Sequence, residues 1–218
     1  MKLSLAITAV AAAFFSATAQ ANDATPKLHP TEAACITYES SGQMMTGTTT
    51  RCHRDYAHEV YEIVNTNISF AGITQSQNQH TITIGEWIYA INLETNTGTK
   101  TKNPMYDGLV SALKDSSPEE MTAVFLNAMN MTDTGQSKTV VGVSCRVYTS
   151  AMMGTVCLTD GGLMLEQSFM GSTQIATDVA IGESGADENY TLYQSVPITE
   201  GPDLSNGLQG LIDQMGQQ

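Results

Sequence analysis

The stretch SPEEMTAVFLNAM, residues Ser117–Met129, decides the fold, because it places a helix between two β-rich halves of the chain. Ser117 is a favourable N-cap, Pro118 suits the first helical position, and Glu120 lies where a capping box needs a carboxylate. Apolar residues then recur at helical spacing and form one stripe, made by Met121, Val124, Phe125, Ala128 and Met129. A shorter pattern with the same period precedes it, at Tyr106, Leu109, Val110 and Leu113. The centre of the sequence therefore predicts two consecutive helices.

The residues before these helices alternate as strands do. Cys35–Tyr38 and Met44–Arg51 predict a first hairpin, and Val60–Val64 and Ile68–Ile73 predict a second, separated near Asn65. Thr81–Ile84 is a further short strand. In the next one, Ile88 and Ala90 lie on one face, and the other face carries Trp87, Tyr89, Ile91 and Leu93. A strand that is apolar on both faces predicts a position inside a sheet that is covered on both sides.

A second β-rich block follows the helices. Short turns at Asp160-Gly161 and Gly171-Ser172 separate alternating runs and predict a four-strand meander from about Thr139 to Ile181. The acidic, glycine-rich segment Gly182–Asn189 predicts a loop, and Tyr190–Tyr193 a short strand. The last apolar pattern predicts a closing amphipathic helix through Leu204, Leu208, Leu211, Ile212 and Met215.

This order of elements predicts an α+β fold that is mostly antiparallel β. The helices are not interleaved with single strands, which excludes a doubly wound sheet. The economical arrangement is one strongly curved sheet, an unclosed half-barrel, with helices packed in its concave face. Such a sheet encloses apolar volume that is either solid core or a ligand cavity.

The N-terminus has the features of a secretory signal peptide. Lys2 supplies a positive charge, Leu3–Phe15 is an apolar run, and Ala19-Gln20-Ala21 matches the small-x-small cleavage pattern. The run is too short to span a bilayer, and no later run replaces it, so we expect a chain that does not span a membrane. The sequence predicts a signal peptide over residues 1–21 that is cleaved after Ala21, a flexible leader over 22–32, and a single domain over 33–218. These features of the signal peptide favour a bacterial source, and therefore a location in the periplasm.

The four cysteines of an exported chain indicate two disulfides, for which three connectivities exist. Cys35 and Cys52 lie almost symmetrically about the first predicted turn, and Cys145 and Cys157 about a turn near Ser150. Facing positions on antiparallel strands bring Cα atoms within disulfide range. The spacing therefore favours Cys35–Cys52 and Cys145–Cys157. The sequence has no Cys-x-x-Cys, so these cysteines are expected to be structural.

The charge balance excludes one class of partner. The chain has 9 Lys and Arg against 22 Asp and Glu, a formal net charge of −13. Nucleic-acid binding depends on cations that release phosphate counterions, so no nucleic-acid partner is expected. The same balance disfavours an anionic membrane surface.

Several short segments resemble the periplasmic lipoprotein-carrier superfamily, the LolA/LolB-like half-barrels, and related exported domains. They lie across most of the chain after the signal, at Gly47–Arg51, Gly85–Ile91, Thr97–Lys100, Gly142–Tyr148, Val156–Leu158 and Gly162–Leu165. The resemblance implies an unclosed antiparallel barrel with helices as its lid. It also implies that the barrel holds an acyl chain or another apolar ligand.

Methionine is unusually frequent, with 12 residues that include Met44-Met45, Met129, Met131 and Met152-Met153. Flexible thioether side chains suit a pocket for variable apolar ligands, and they equally fill gaps in a core. A further alternative is copper, since thioether and imidazole ligands select Cu(I). The candidate imidazoles are His29, His53, His58 and His80.

The sequence contains no recognisable set of nucleophile, base and orienting group, so we expect no enzyme, no catalytic residue, no cofactor and no metal. The leading hypothesis is a periplasmic binding protein that holds a lipid or acyl chain in a half-barrel cavity. The candidate pocket residues are large and apolar: Trp87, Tyr89, Ile91, Phe125, Met129 and Leu165. The alternatives are a non-enzymatic envelope interaction or maintenance protein with a filled core, and a periplasmic copper-binding protein. The protein partner, if any, is not predicted.

Overall fold

The computed structural model describes residues 25–70, 73–151 and 153–202. The predicted signal peptide and the predicted closing helix lie outside the described residues. The helical elements are α1 (Tyr106–Leu113), α2 (Pro118–Ala128), α3 (Asp187–Thr191) and a 3₁₀ turn (Leu192–Gln194). The strands are β1 (Ala34–Gly42), β2 (Met45–Arg54), β3 (Glu59–Phe70), β4 (Ile73–Ile84), β5 (Trp87–Asn92), β6 (Thr97–Lys102), β7 (Thr132–Val140), β8 (Val143–Ser150), β9 (Gly154–Leu158), β10 (Met164–Phe169), β11 (Ser172–Ile181) and β12 (Ile198–Glu200).

All twelve described strands belong to one sheet, in the order β12-β6-β5-β4-β3-β2-β1-β11-β10-β9-β8-β7. Every pairing is antiparallel except that of β12 with β6. The sheet is curved and unclosed, which confirms the predicted α+β half-barrel. Among the described residues, no helix combines the length and the apolar character needed to cross a membrane.

The two central helices connect distant parts of the sheet. β6 and β7 follow one another in the chain, yet β7 forms one edge and β6 lies next to the opposite edge. The segment that contains α1 and α2 therefore runs from one side of the half-barrel to the other. Only Leu113 of α1 and Met121 of α2 are buried.

The predicted start of α2 is confirmed by its hydrogen bonds. The Ser117 hydroxyl accepts from the Glu120 amide at 3.3 Å, and the Ser117 amide donates to the Glu120 carboxylate at 2.7 Å. This is the capping box that the sequence predicts, with Pro118 at the first helical position. The apolar stripe is only partly covered, since Val124 and Phe125 are exposed.

The second hairpin is longer than predicted. β3 runs without interruption from Glu59 to Phe70 and pairs with β4 from end to end, so the predicted break near Asn65 is wrong. Asn65 and Asn67 have low strand propensity, but they are paired with strands on both sides. Pairing within the sheet overrides local propensity here.

Two further predictions fail at turns. Val141 falls near the start of the meander predicted from about Thr139, where its alternation with Val143 and Val147 predicts a strand, but it is in the turn between β7 and β8 with φ 49°, followed by Gly142 at φ 79°. These positive φ values fit a two-residue hairpin turn. The block after the helices is therefore a five-strand meander, β7–β11. The segment predicted as a strand at Tyr190–Tyr193 instead forms the end of α3 and part of the 3₁₀ turn.

Both predicted disulfides are present. Cys35 and Cys52 lie directly opposite one another on β1 and β2, with Cα atoms 4.0 Å apart. The Cα atoms of Cys145 and Cys157 are 5.4 Å apart, but the residue that faces Cys157 is Val147. The second bridge is therefore diagonal across the hairpin, and the prediction of directly facing positions is wrong for it.

Two clusters of buried apolar side chains occupy opposite faces of the sheet. The first cluster includes Ile36, Tyr38 and Leu165 and is built from β1 and β7–β11. We call the face that carries Ile36 and Tyr38 the inner face, and the opposite one the outer face. The second cluster lies on the outer face, around Tyr61 and Ile91. It is covered by α3 and the 3₁₀ turn.

The second half of the predicted flexible leader is hydrogen-bonded to two of the turns that connect strands of the sheet. The Leu28 amide donates to the Tyr56 carbonyl at 2.9 Å, and the Thr31 hydroxyl donates to the Gly161 carbonyl at 2.8 Å. The chain therefore makes ordered contacts before β1 begins.

Candidate functional site

The strand register shows which side chains share the inner face. One row of directly paired residues crosses seven strands: Ala176, Tyr38, Thr49, Val64, Gln79, Asn92 and Thr97. The β1 side of this row is apolar and belongs to the first buried cluster, whereas the β4–β6 side is polar. The inner face is thus divided into an apolar part and a polar part.

An apolar cavity of about 260 Å³ lies at one end of the sheet. We call it the Met-rich cavity. Its lining consists of Met44, Met45, Ile68, Gln167, Phe169, Met170, Ser172, Thr173 and Gln174. Lys, Arg, Asp and Glu do not occur in this lining, so the cavity offers thioethers, one aromatic ring, hydroxyls and amides.

Three hairpins bring these residues together. β1–β2 supplies Met44 and Met45, β3–β4 supplies Ile68, and β10–β11 supplies the other lining residues. The hairpin ends are hydrogen-bonded to each other, since the Ser69 amide donates to the Met44 carbonyl at 2.8 Å and the Met44 amide donates to the Ser172 hydroxyl at 3.3 Å. The cavity is therefore built on connected turns.

Apolar side chains remain exposed around this end of the sheet. Met170 is 67% exposed in the β10–β11 turn, where it has φ 49° and is followed by Gly171 at φ 75°. Ile73, at the start of β4, is 73% exposed. Large apolar side chains are unusual at hairpin turns, which are normally polar, so this concentration makes the end a candidate contact surface.

A second cavity, of about 430 Å³, lies over the polar part of the inner face. Its lining is Gln79, Ala90, Asn92, Thr97, Gly98, Thr99, Pro197 and Thr199. The parallel strand β12 forms one side of it. Three threonines and the amides of Gln79 and Asn92 supply polar groups, and Ala90, Gly98 and Pro197 supply apolar surface, so the lining is mixed.

The structure disperses the six predicted pocket residues. Ile91 and Leu165 are fully buried, in the outer-face and inner-face clusters respectively. Tyr89 stacks on Tyr193 with ring centroids 4.1 Å apart, and the Lys100 ammonium is 3.7 Å from the centre of the Trp87 ring. The remaining two residues, Phe125 and Met129, lie at the C-terminal end of α2. These six do not line either of the two cavities described above, and their contact with a ligand stays a prediction.

The feature of the sequence that indicates the Met-rich cavity is its high frequency of methionine. Met44-Met45 stood out as a pair, but Met170, Phe169 and Ile68 were missed. Met170-Gly171 could have been found as an apolar residue inside a turn signal, where a polar residue is the usual choice.

The candidate copper ligands are spread over the molecule. His29 and His53 are neighbours, with ring centroids 4.7 Å apart, and burial lowers the pKa of His29 to about 4, helped by the charge of His53. Burial also lowers the pKa of His53 and of His80. Within the described ranges, no group of three His, Cys, Asp or Glu is placed to hold a metal ion.

Comparisons with known proteins find similar structures only. No protein-family model and no curated protein matches the sequence. An uncharacterized conserved protein from Thermus thermophilus has TM-score 0.47 and 7% identity, over 82% of this chain and 96% of that one. PNGF-II has TM-score 0.42 and 14% identity, over 80% and 32%. MucB has TM-score 0.35 and 10% identity, over 76% and 59%. At these values the likenesses assign neither a family nor a function.

Proposed function

We propose that this chain is an exported, non-enzymatic binding protein that holds one apolar ligand, such as a lipid or acyl chain, in the Met-rich cavity. The observation that carries the proposal is the lining of that cavity by three methionines, Ile68 and Phe169 from three hairpins. Flexible, polarizable thioethers adapt to ligands of different shape. The signal-like N-terminus and the two disulfides support an oxidising compartment outside the cytoplasm.

The size of the cavity limits the ligand. A volume of about 260 Å³ accommodates roughly nine groups the size of a water molecule, at ~30 Å³ each. One medium-length acyl chain, or one end of a longer chain, fits this space. The exposed Met170 and Ile73 at the same end of the sheet provide an apolar entrance.

The register counts against a mixed Met/His copper site. Met45 and His53 are eight residues apart along β2, which corresponds to about 26 Å of strand. The histidine pair and the methionines therefore lie at opposite ends of the sheet. A Cu(I) site made by the methionines alone is still tested, by the competition experiment described below.

The proposal is tested with 1-N-phenylnaphthylamine, an uncharged apolar fluorophore, titrated into the full protein. We expect saturable binding of one probe per chain. Met170→Gln replaces an apolar lining side chain and should weaken binding about five- to tenfold, because it removes on the order of 1 kcal/mol of apolar contact. Ile181→Gln is the matched control, since Ile181 is 55% exposed at the opposite end of β11.

Two results would contradict the proposal. Absence of saturable probe binding, together with native mass spectra that show no co-purified lipid, would favour the interaction protein with a filled core. Equal losses of affinity in the Met170 and Ile181 variants would place the probe elsewhere on the surface.

The copper alternative is tested by titrating Cu(I) in competition with a chelator. It requires a dissociation constant well below the millimolar range.

A further inference from the structure

One row of paired residues on the inner face is polar and lies next to the Met-rich cavity. Directly paired residues place Gln167, Gln174, Ser40, Gly47, Thr66 and Gln77 side by side across six strands. We call this row the polar rung. Gln167 and Gln174 line the cavity, so the rung begins at the cavity wall and continues across β1, β2 and β3.

Two hydroxyls of the polar rung are buried without a hydrogen-bond partner. Ser40 is 3% exposed and Thr66 is 4% exposed, and neither Oγ of Ser40 nor Oγ1 of Thr66 has a partner among the described residues. A buried hydroxyl without a partner loses its hydrogen bonds to water and gains nothing in return. Such groups are the ones whose hydrogen bonds a bound molecule can satisfy.

The two hydroxyls are close to the apolar lining. Ser40 faces Gln174 across one strand pairing, about 5 Å away between strands. Thr66 is two residues from Ile68 on the same strand and the same face, about 7 Å along β3. Between the hydroxyls lies Gly47, which has no side chain and where a Cβ would collide with the backbone of Asn65. The backbones of β2 and β3 therefore approach closely at Gly47, and the two hydroxyls lie on either side of this contact, in the same row as Gln174 of the cavity wall.

The surrounding charge selects an uncharged polar group. The cavity lining contains no cationic side chain. Arg51 lies on the inner face of β2, but its guanidinium is 3.9 Å from the Glu62 carboxylate, and three residues of β2 separate it from Gly47. The chain as a whole has a net charge of −13. A carboxylate or phosphate head group would be bound here without a balancing charge.

We infer that Ser40 and Thr66 form a subsite for the uncharged, hydrogen-bonding head group of an amphiphile whose acyl chain occupies the Met-rich cavity. Monoacylglycerols are ligands of this class. The inference rests on the proposed function and adds the chemistry of the head group to it. Hydroxyls donate and accept, so they match the hydroxyl and ester groups of such a ligand.

The experiment compares two ligands with the same chain, monodecanoylglycerol and decanoate, by calorimetry on the full protein below their micellar concentrations. We expect the glycerol ester to bind at least tenfold more tightly. Thr66→Val preserves the shape of the side chain and removes the hydroxyl, so it should weaken binding of the ester roughly three- to tenfold. Thr48→Val, at an exposed position on the other face of β2, should leave it unchanged.

A second measurement separates lost contacts from lost folding. Because the Thr66 hydroxyl has no partner without ligand, Thr66→Val should leave the urea midpoint of the free protein unchanged or raise it, and binding of 1-N-phenylnaphthylamine should persist. Equal affinities of wild type and Thr66→Val for the ester, or tighter binding of decanoate, would overturn the subsite while leaving the cavity proposal intact. If wild type does not bind the apolar fluorophore and carries no co-purified lipid, the proposed function itself is overturned.

Discussion

At the scale of single residues, burial decides the chemistry of the histidines. His29 and His53 lie against one another, and both are hydrogen-bonded to the backbone of Thr31. The Thr31 amide donates to Nδ1 of His29 at 3.0 Å, which requires that nitrogen to be unprotonated. The geometry therefore agrees with the lowered pKa of His29, and the neutral ring is part of the folded structure.

We predict that the protein loses stability in mild acid through His29. Its pKa falls from 6.5 to about 4 on folding, so the unfolded chain binds a proton first as the pH decreases. The contribution of the neutral His29 ring to the free energy of unfolding is fully present above pH 6.5 and is lost as the pH falls towards 4. His29→Asn retains an acceptor for the Thr31 amide and should show a smaller decrease in the free energy of unfolding between pH 7 and pH 4.5.

The measurement is urea denaturation across this pH range, with an NMR titration of the His29 ring in the folded protein. Parallel pH profiles for wild type and the variant, or a ring that titrates near 6.5, would show that His29 does not cause the loss.

Residue types were easier to predict than residue positions in the candidate site. The abundance of methionine indicated an adaptable apolar pocket, and Met44 and Met45 do line one. Ile91 and Leu165 were proposed for the pocket because they are apolar and alternate correctly, but alternation identifies a buried face and does not distinguish a packed core from a cavity wall. Only the register of distant strands shows where the faces leave a gap.

At the scale of elements, each disulfide reinforces one hairpin. Cys35–Cys52 joins β1 to β2 and spans 17 residues, and Cys145–Cys157 joins β8 to β9 and spans 12. Cys52, Cys145 and Cys157 are buried, whereas Cys35 is only partly buried, so a reductant reaches the Cys145–Cys157 bridge only when its hairpin opens. The bridges restrict the unfolded chain more than they alter the folded one.

We predict that removal of either bridge lowers the free energy of unfolding by about 3 kcal/mol, because loops of this length lose that much closure entropy in the unfolded state. The variants are Cys35→Ala with Cys52→Ala, and Cys145→Ala with Cys157→Ala. Urea denaturation measures the loss, and wild type denatured in reductant is the control that should match both losses together. An unchanged midpoint in either double variant would contradict the entropic account.

Helix α2 and most strands could be predicted because their signals are local. The capping box and the alternation of apolar residues need only a few neighbouring positions. β12 and the full length of β3 could not, because Ile198–Glu200 becomes a strand only by pairing in parallel with β6, about a hundred residues earlier. Asn65 and Asn67 likewise belong to a strand because both neighbouring strands are present.

At the scale of the whole molecule, two apolar clusters on opposite faces share one continuous sheet. The inner-face cluster depends on β1 and β7–β11, and the outer-face cluster on β2–β5 with α3 and the 3₁₀ turn. β1 and β2 connect the two halves through a full hairpin ladder and the Cys35–Cys52 bridge. We therefore expect the halves to unfold together.

Leu165→Ala tests this coupling, because Leu165 is fully buried in the inner-face cluster and its truncation should cost about 2–5 kcal/mol. Trp87, the single tryptophan, reports on β5 in the other half. We predict that the variant lowers the thermal midpoint measured by Trp87 fluorescence as much as the midpoint measured by circular dichroism. A Trp87 transition that stays at the wild-type temperature would show two independent halves, and Ile91→Ala is the reciprocal control.

The borders of the described sheet bear on self-association. β12 contributes three residues at one border, and at the other β7 is polar and exposed over most of its length, with a break in register between Asp133 and Ser137. Strand edges that are short, charged or irregular offer a second copy of the chain few backbone groups with which to pair. The exposed apolar side chains at the hairpin ends are therefore not accompanied by a long free strand edge along which copies of the chain could assemble into fibrils.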